Sequence, residues 1–108
     1  GALADETVIV VLSEMGRTPT LNAADGKDHW TFTSALFIGA GIKGGQVIGG
    51  MEDTFFGSPI DLETGEITDD GLVIQTGNLG ATFYALADLD PGDFLTRGEQ
   101  PISAVLDG

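Results

Sequence analysis

The residues best suited to chemistry lie in two short clusters in the first third of the chain. The first cluster runs from Ser13 to Pro19, and the second, which begins eight residues further on, runs from Lys27 to Trp30 and holds the only histidine. Carboxylates and a neutral imidazole are ligands that suit hard or borderline divalent metals such as Zn²⁺, Mn²⁺, Mg²⁺ or Ca²⁺. The two clusters therefore predict a divalent metal cofactor. The candidate metal ligands are Glu14, Asp28 and His29.

Arg17 and Asn22 are the candidates for contact with a substrate. A guanidinium can grip a phosphate or sulfate group through two parallel hydrogen bonds, so Arg17 is the candidate catalytic and substrate-binding residue. The alternative for Arg17 is an ion pair with Glu14 or Asp28 that only orders the loop. The Asn22 amide could donate a hydrogen bond to the substrate, although most loop asparagines shape turns.

The elements that would position these residues indicate an α/β fold. The β-branched run from Thr7 to Leu12 is typical of a parallel strand buried on both faces, and the segment 34–38 is a second such strand. A hairpin is expected near residues 60–68, and an amphipathic helix near 77–89. Because ligand sites form at the carboxyl ends of strands, the site residues are expected to converge just after Leu12. The two strands are expected to be central neighbours, with the helix over one face.

The segment from Val8 to Trp30, VIVVLSEMGRTPTLNAADGKDHW, resembles the C-terminal signature of the domain of unknown function 1501 family. The resemblance continues through Ile42–Gly49 and the helix-like stretch near Leu79–Leu89. It implies membership of the alkaline phosphatase-like and sulfatase superfamily, and an α/β sheet of that type. Proteins of this family are several hundred residues long, so residues 1–108 are expected to form a single partial domain from the C-terminal end. Export to the periplasm is implied by the resemblance alone, since the chain shows no signal peptide.

The resemblance also implies particular roles for the site residues. In the superfamily, an Asp-His pair at a strand end binds one metal of a two-metal site that stabilises the attacking and leaving oxygens. Glu14 would occupy the aspartate position, whereas Met15 stands in the histidine position, and a thioether is a poor ligand for these metals. His29 is similar to a later histidine ligand. Asp28 would bind the metal or orient the imidazole.

Three classes of function follow. The first is the C-terminal part of a metal-dependent phosphoric- or sulfuric-ester hydrolase that acts on a small anionic ester and is completed by the N-terminal remainder of the domain. The second is a degenerate, non-catalytic member that binds an anion or a partner, which Met15 favours. The third is a stand-alone acidic interaction module. No nucleophile with a base and an orienting group can be assembled here, so the 108 residues alone are expected to be inactive.

The composition excludes several other classes. Seventeen acidic residues against four lysines and arginines give a formal net charge of −13. Nonspecific nucleic-acid binding needs a basic surface, and anionic membrane surfaces repel such a chain. No apolar run approaches the ~18 residues of a membrane span. The Gly39–Gly44 segment matches a dinucleotide-binding pattern, but the glycines and β-branched residues that follow argue against the helix that a nucleotide site requires.

Overall fold

The computed structural model describes all residues, 1–108, as a mixture of short strands and one helix, which is the broad α/β composition expected. No helix in it has the length and apolar character needed to cross a membrane. Short 3₁₀ turns occupy Ala4–Glu6, Pro91–Asp93 and Ser103–Val105. The regular elements are β1 (Val8–Leu12), β2 (Gly16–Arg17), β3 (His29–Trp30), β4 (Ala35–Gly39) and α1 (Thr76–Leu86).

The two apolar runs form strands where the sequence predicts them, and they are neighbours. They pair antiparallel as a two-stranded sheet, with Val8 opposite Gly39 and Leu12 opposite Ala35. The expectation of parallel strands buried on both faces is therefore wrong for this structure. Each strand has one open edge, and one face of the ribbon has no layer packed over it, so its apolar side chains stay about half exposed. These are Ile9 (53%), Val11 (56%), Leu36 (55%) and Ile38 (48%).

The other face of this sheet turns toward the core. Phe37 packs against the buried cluster of Ile60, Ile102 and Val105, and its ring lies 6.0 Å from that of Phe83 in α1. The helix meets this face of the ribbon at the Phe83 ring, and that it covers the face stays a prediction. The core itself is assembled mainly from the second half of the chain.

Helix α1 packs through small and polar residues rather than through the apolar face that its sequence predicts. Ala81 and Thr82 are fully buried, whereas Phe83 is 38% exposed. The Thr82 hydroxyl donates to the Asn78 carbonyl at 2.7 Å and accepts the Ile102 amide at 2.9 Å. A side chain that must hydrogen-bond a neighbouring backbone segment needs close approach, so small residues face that segment. Helical periodicity alone does not reveal this requirement.

The hairpin expected near residues 60–68 is present as a short, tight turn. Ile60 and Ile67 form an antiparallel bridge, the Asp61 amide donates to the Glu66 carbonyl at 2.9 Å, and the Thr68 amide donates to the Pro59 carbonyl at 3.0 Å. Near residues 102–106 the chain forms a 3₁₀ turn followed by one bridge between Ile42 and Leu106. Paired strands need a run of facing partners, and these short segments each have only one or two.

Candidate functional site

The candidate residues lie on and beside a second ribbon that begins four residues after β1 ends. β2 and β3 pair antiparallel, with Gly16 opposite Trp30 and Arg17 opposite His29. A side chain at Gly16 is excluded, because its Cβ would lie 1.8 Å from the Phe32 carbonyl oxygen. This close approach joins the ribbon to the segment leading into β4. The two predicted clusters are therefore brought together at the carboxyl end of β1.

Arg17 and His29 are direct cross-strand neighbours, and both are exposed. Side chains at paired positions share one face of a ribbon, with Cβ atoms about 4.5–5.5 Å apart. The Arg17 Nη1 donates to the Lys27 carbonyl at 3.2 Å, which draws the arginine along the Lys27–His29 segment. The bond leaves the other guanidinium donors available to an anion.

Glu14 lies in the bend between β1 and β2 and is exposed. Its pKa is below the usual value, because its carboxylate accepts a hydrogen bond from its own backbone amide and another from the Ser13 hydroxyl. The positive charges of Arg17 and His29 add smaller contributions to the same lowering of the pKa. The Ser13 hydroxyl donates at 3.1 Å to the carboxylate and at 2.9 Å to the Met15 carbonyl. Glu14 is thus held ionised on the same rim as the arginine and the histidine.

Asp28 and Asn22 bond to each other. The Asn22 Nδ2 donates to the Asp28 Oδ1 at 2.9 Å, while the Asn22 Oδ1 accepts the amides of Ala24 and Gly26 at 2.9 and 3.0 Å. Asn22 therefore builds the turn between the two strands, which is the commoner role of a loop asparagine. Its contact with a substrate stays a prediction. Only the second hydrogen of its side-chain amide could make that contact.

The candidate metal ligands, Glu14, Asp28 and His29, do not by themselves form a metal centre. No group of three or more carboxylate, imidazole or thiolate side chains lies close enough together in the chain to hold a metal ion. One oxygen of Asp28 is already bonded to Asn22, and Met15 adds no suitable donor. A metal held by Glu14, Asp28 or His29 would need further ligands from outside these residues.

The supporting structure behind the ribbon could be predicted only in part. Trp30 packs behind the ribbon, with its ring centroid 5.5 Å from that of Phe56. Its Nε1 donates to the Phe55 carbonyl at 2.7 Å, across 25 residues of sequence. The aromatic pair Phe55-Phe56, in a polar, glycine-rich segment, is a sequence signal for the ring contact, whereas a hydrogen bond to a backbone carbonyl leaves no such signal.

Comparison with known proteins gives one match. Residues 1–101 match the model of a family described as "Protein of unknown function (DUF1501)", so the chain belongs to that family. No curated protein matches the chain, and no solved structure matches it.

Proposed function

We propose that this member of the DUF1501 family is the C-terminal part of a metal-dependent phosphoric- or sulfuric-ester hydrolase of the alkaline phosphatase-like superfamily, and that it contributes an oxyanion-binding ribbon. The observation that carries the proposal is the cross-strand pair of Arg17 and His29. With the nearby Lys27, these are three of the chain's five basic side chains, in a molecule whose net charge is −13. Their N–H donors suit a small anionic ester better than a polyanion, which the remaining charge would repel.

The chemical role of the ribbon is to stabilise the negative charge that develops during ester cleavage. Ester cleavage at phosphorus or sulfur gathers negative charge on the oxygens, and pre-positioned cationic donors stabilise that charge. Arg17 is the candidate for this contact, with two parallel N–H donors directed at the ester oxygens. A divalent metal, when bound, would polarise the same ester. Glu14, Asp28 and His29 are the ligands that this chain would contribute, alongside ligands from the remainder of the domain.

The uncovered sheet supports an N-terminal remainder as the partner. Paired positions Ile9 and Ile38, and Val11 and Leu36, present apolar side chains on one face, and the outer edges of β1 and β4 are unpaired. Two-stranded ribbons are marginal in water without further strands or a packed layer. Strands and a layer from the rest of the same domain would satisfy both the face and the edges.

A second candidate function is a non-catalytic protein that binds an anion or a partner. Met15 in the expected histidine position favours it, and so does the lack of a three-donor group within these residues. The same Arg17–His29 pair would then hold the anion without turning it over.

The experiment assays the natural full-length polypeptide on aryl phosphate and aryl sulfate esters with Zn²⁺, Mn²⁺, Mg²⁺ and Ca²⁺ in turn. Loss of one electrostatic donor typically lowers a rate by about 100–1,000-fold, which we expect for Arg17→Ala. We expect comparable losses for His29→Ala and Glu14→Ala. The matched control is Arg97→Ala, which removes an exposed arginine far along the chain and should leave turnover unchanged.

Equal, metal-independent turnover by the wild type and all four variants would remove these residues from the mechanism. No turnover with any metal, together with phosphate binding that Arg17→Ala abolishes and Arg97→Ala does not, would establish the second candidate instead.

A further inference from the structure

The Arg17–His29 ribbon is too small to fix its own geometry. β2 and β3 contain two residues each, and only one further pair extends them, in which the Thr18 amide donates to the Asp28 carbonyl at 3.0 Å. Isolated two-stranded hairpins of any length are marginally stable in water. The orientation of the Arg17 and His29 side chains therefore depends also on contacts made elsewhere in the molecule.

Trp30 makes a contact that fixes the position of the ribbon. Successive side chains of a strand point to opposite faces, so the Trp30 indole lies on the face of the ribbon opposite His29. There its Nε1–H donates to the Phe55 carbonyl at 2.7 Å, and its ring lies 5.5 Å from Phe56. Phe56 in turn meets the Phe32 ring edge-on at 5.6 Å. The back of the ribbon is thus fastened to the segment 51–57.

That segment is itself a closed turn and not a loose loop. Met51 and Gly57 form a bridge, the Glu52 amide donates to the Phe56 carbonyl at 2.8 Å, and the Phe55 amide donates to the Glu52 carbonyl at 2.8 Å. Phe55 has φ 67°, in the left-handed region that bulky residues rarely adopt. A residue persists there only where the surrounding structure over-determines its conformation. The Phe55 carbonyl is accordingly a fixed acceptor.

We propose that Trp30 is the positioning residue of the site: its indole bond to the fixed Phe55 carbonyl holds β3 in place, and thereby holds His29 beside Arg17. The anion that the pair would bind rests on the proposed function. The positioning itself does not, because it concerns the geometry of the ribbon with no ligand present.

The test replaces Trp30 with 3-benzothienylalanine, which keeps the shape of the bicyclic ring and removes only the N–H donor. Trp30→Phe is the second variant. The natural polypeptide is used, with residues 1–108 alone isotope-labelled, so that the single histidine and single tryptophan of this chain give unambiguous NMR signals. Two quantities are measured: cross-strand NOEs between the His29 imidazole and the Arg17 side chain, and the His29 shift on titration with inorganic phosphate.

We expect both variants to lose most of the His29–Arg17 NOE intensity and to bind phosphate about tenfold more weakly, the scale of one impaired charge-assisted hydrogen bond. Thr82→Val is the control, because it removes a buried hydrogen bond in the core while leaving Trp30 intact. It should lower stability with the NOEs and the phosphate affinity unchanged. A purely structural role for Trp30 would make all three variants alike.

Retention of both the NOEs and the phosphate affinity in the benzothienylalanine variant would overturn the inference. Loss of the core signals together with the ribbon signals would also overturn it, since Trp30 would then support the whole fold. If the NOEs vanish as expected but wild-type His29 never responds to phosphate, the positioning role stands and the proposed anion site fails.

Discussion

The two halves of this chain differ in how they use apolar residues. Nine of the ten buried residues lie between Ser58 and Val105, and only Gly16 lies in the first half. Yet the longest β-branched run, Thr7–Leu12, belongs to the first half, where its strand is largely exposed. Whether an apolar residue is buried in this protein depends more on whether another layer of structure packs over it than on its hydrophobicity. The candidate site lies in the first half, which contributes least to the core.

The second half is held by polar contacts as much as by apolar ones. The Asn78 Nδ2 donates to the Gln100 carbonyl at 3.0 Å, and the Asn78 Oδ1 accepts the Gln75 amide at 2.9 Å. No buried side-chain polar atom lacks a hydrogen-bond partner. A buried, fully satisfied network is rigid, whereas the exposed ribbons depend on a few fastening contacts.

The largest expected effect is on the free energy of unfolding, when one isoleucine in each half is replaced by alanine. Ile60→Ala removes a side chain that is 1% exposed and should lower the free energy of unfolding by about 2–5 kcal/mol. Ile9→Ala, at 53% exposure, should cost about 0.5 kcal/mol or less when residues 1–108 are studied alone. Denaturant unfolding followed by circular dichroism measures both values.

The same two variants extend the comparison to the longer polypeptide that the proposed function implies. If the remainder of the domain covers the β1–β4 face, Ile9→Ala should there approach the cost of Ile60→Ala. An Ile9→Ala cost that is small in both contexts would contradict the proposed partner, and equal costs in residues 1–108 alone would contradict the division into two unlike halves.

A smaller effect is expected from Thr82→Val. The change leaves the Ile102 amide without its acceptor in a buried position and should cost about 1–3 kcal/mol. Thr54→Val is the control in the first half, at an exposed position, and should stay within about 0.5 kcal/mol of the wild type. A Thr82→Val cost no larger than the control's would mean that the polar network does not fasten α1 to the core.

The sequence predicts the location of the elements better than their surroundings. Both long strands and the helix are found close to their expected residues, because β-branched runs and helical periodicity are local signals. Antiparallel pairing and exposure were not predictable, since they depend on which other strands and layers are present. The burial of Ala81 and Thr82, while Phe83 stays 38% exposed, has a similar cause, a hydrogen bond to a segment twenty residues away.

The candidate site was predictable as a meeting of two clusters but not as a set of roles. The spacing of the clusters brought Arg17 and His29 into register across β2 and β3. Asn22 and Asp28 instead bond to each other, which only the turn geometry could reveal. The Trp30–Phe55 hydrogen bond spans 25 residues and has no local pattern that identifies it.

The smallest expected effect is the pH dependence of stability that Glu14, in the exposed first half, contributes. Its pKa is lowered in the folded protein, so it contributes stability above the pKa of an unfolded-state glutamate. That contribution is lost as the pH falls through the lowered folded-state pKa. Because Glu14 is fully exposed, solvent screening keeps the effect on stability small, and the titration itself is the better measurement.

We therefore expect the carboxyl ¹³C resonance of Glu14 to titrate at lower pH in the folded protein than in the urea-unfolded protein. Ser13→Ala should raise the Glu14 pKa more than His29→Ala does, since the hydroxyl hydrogen bond outweighs the charge of the imidazole. The reverse order would mean that Glu14 and His29 are coupled more tightly than the folded ribbon allows. They would then be placed close enough to share a ligand, and the donor set of Glu14, Asp28 and His29 would need less from the rest of the domain.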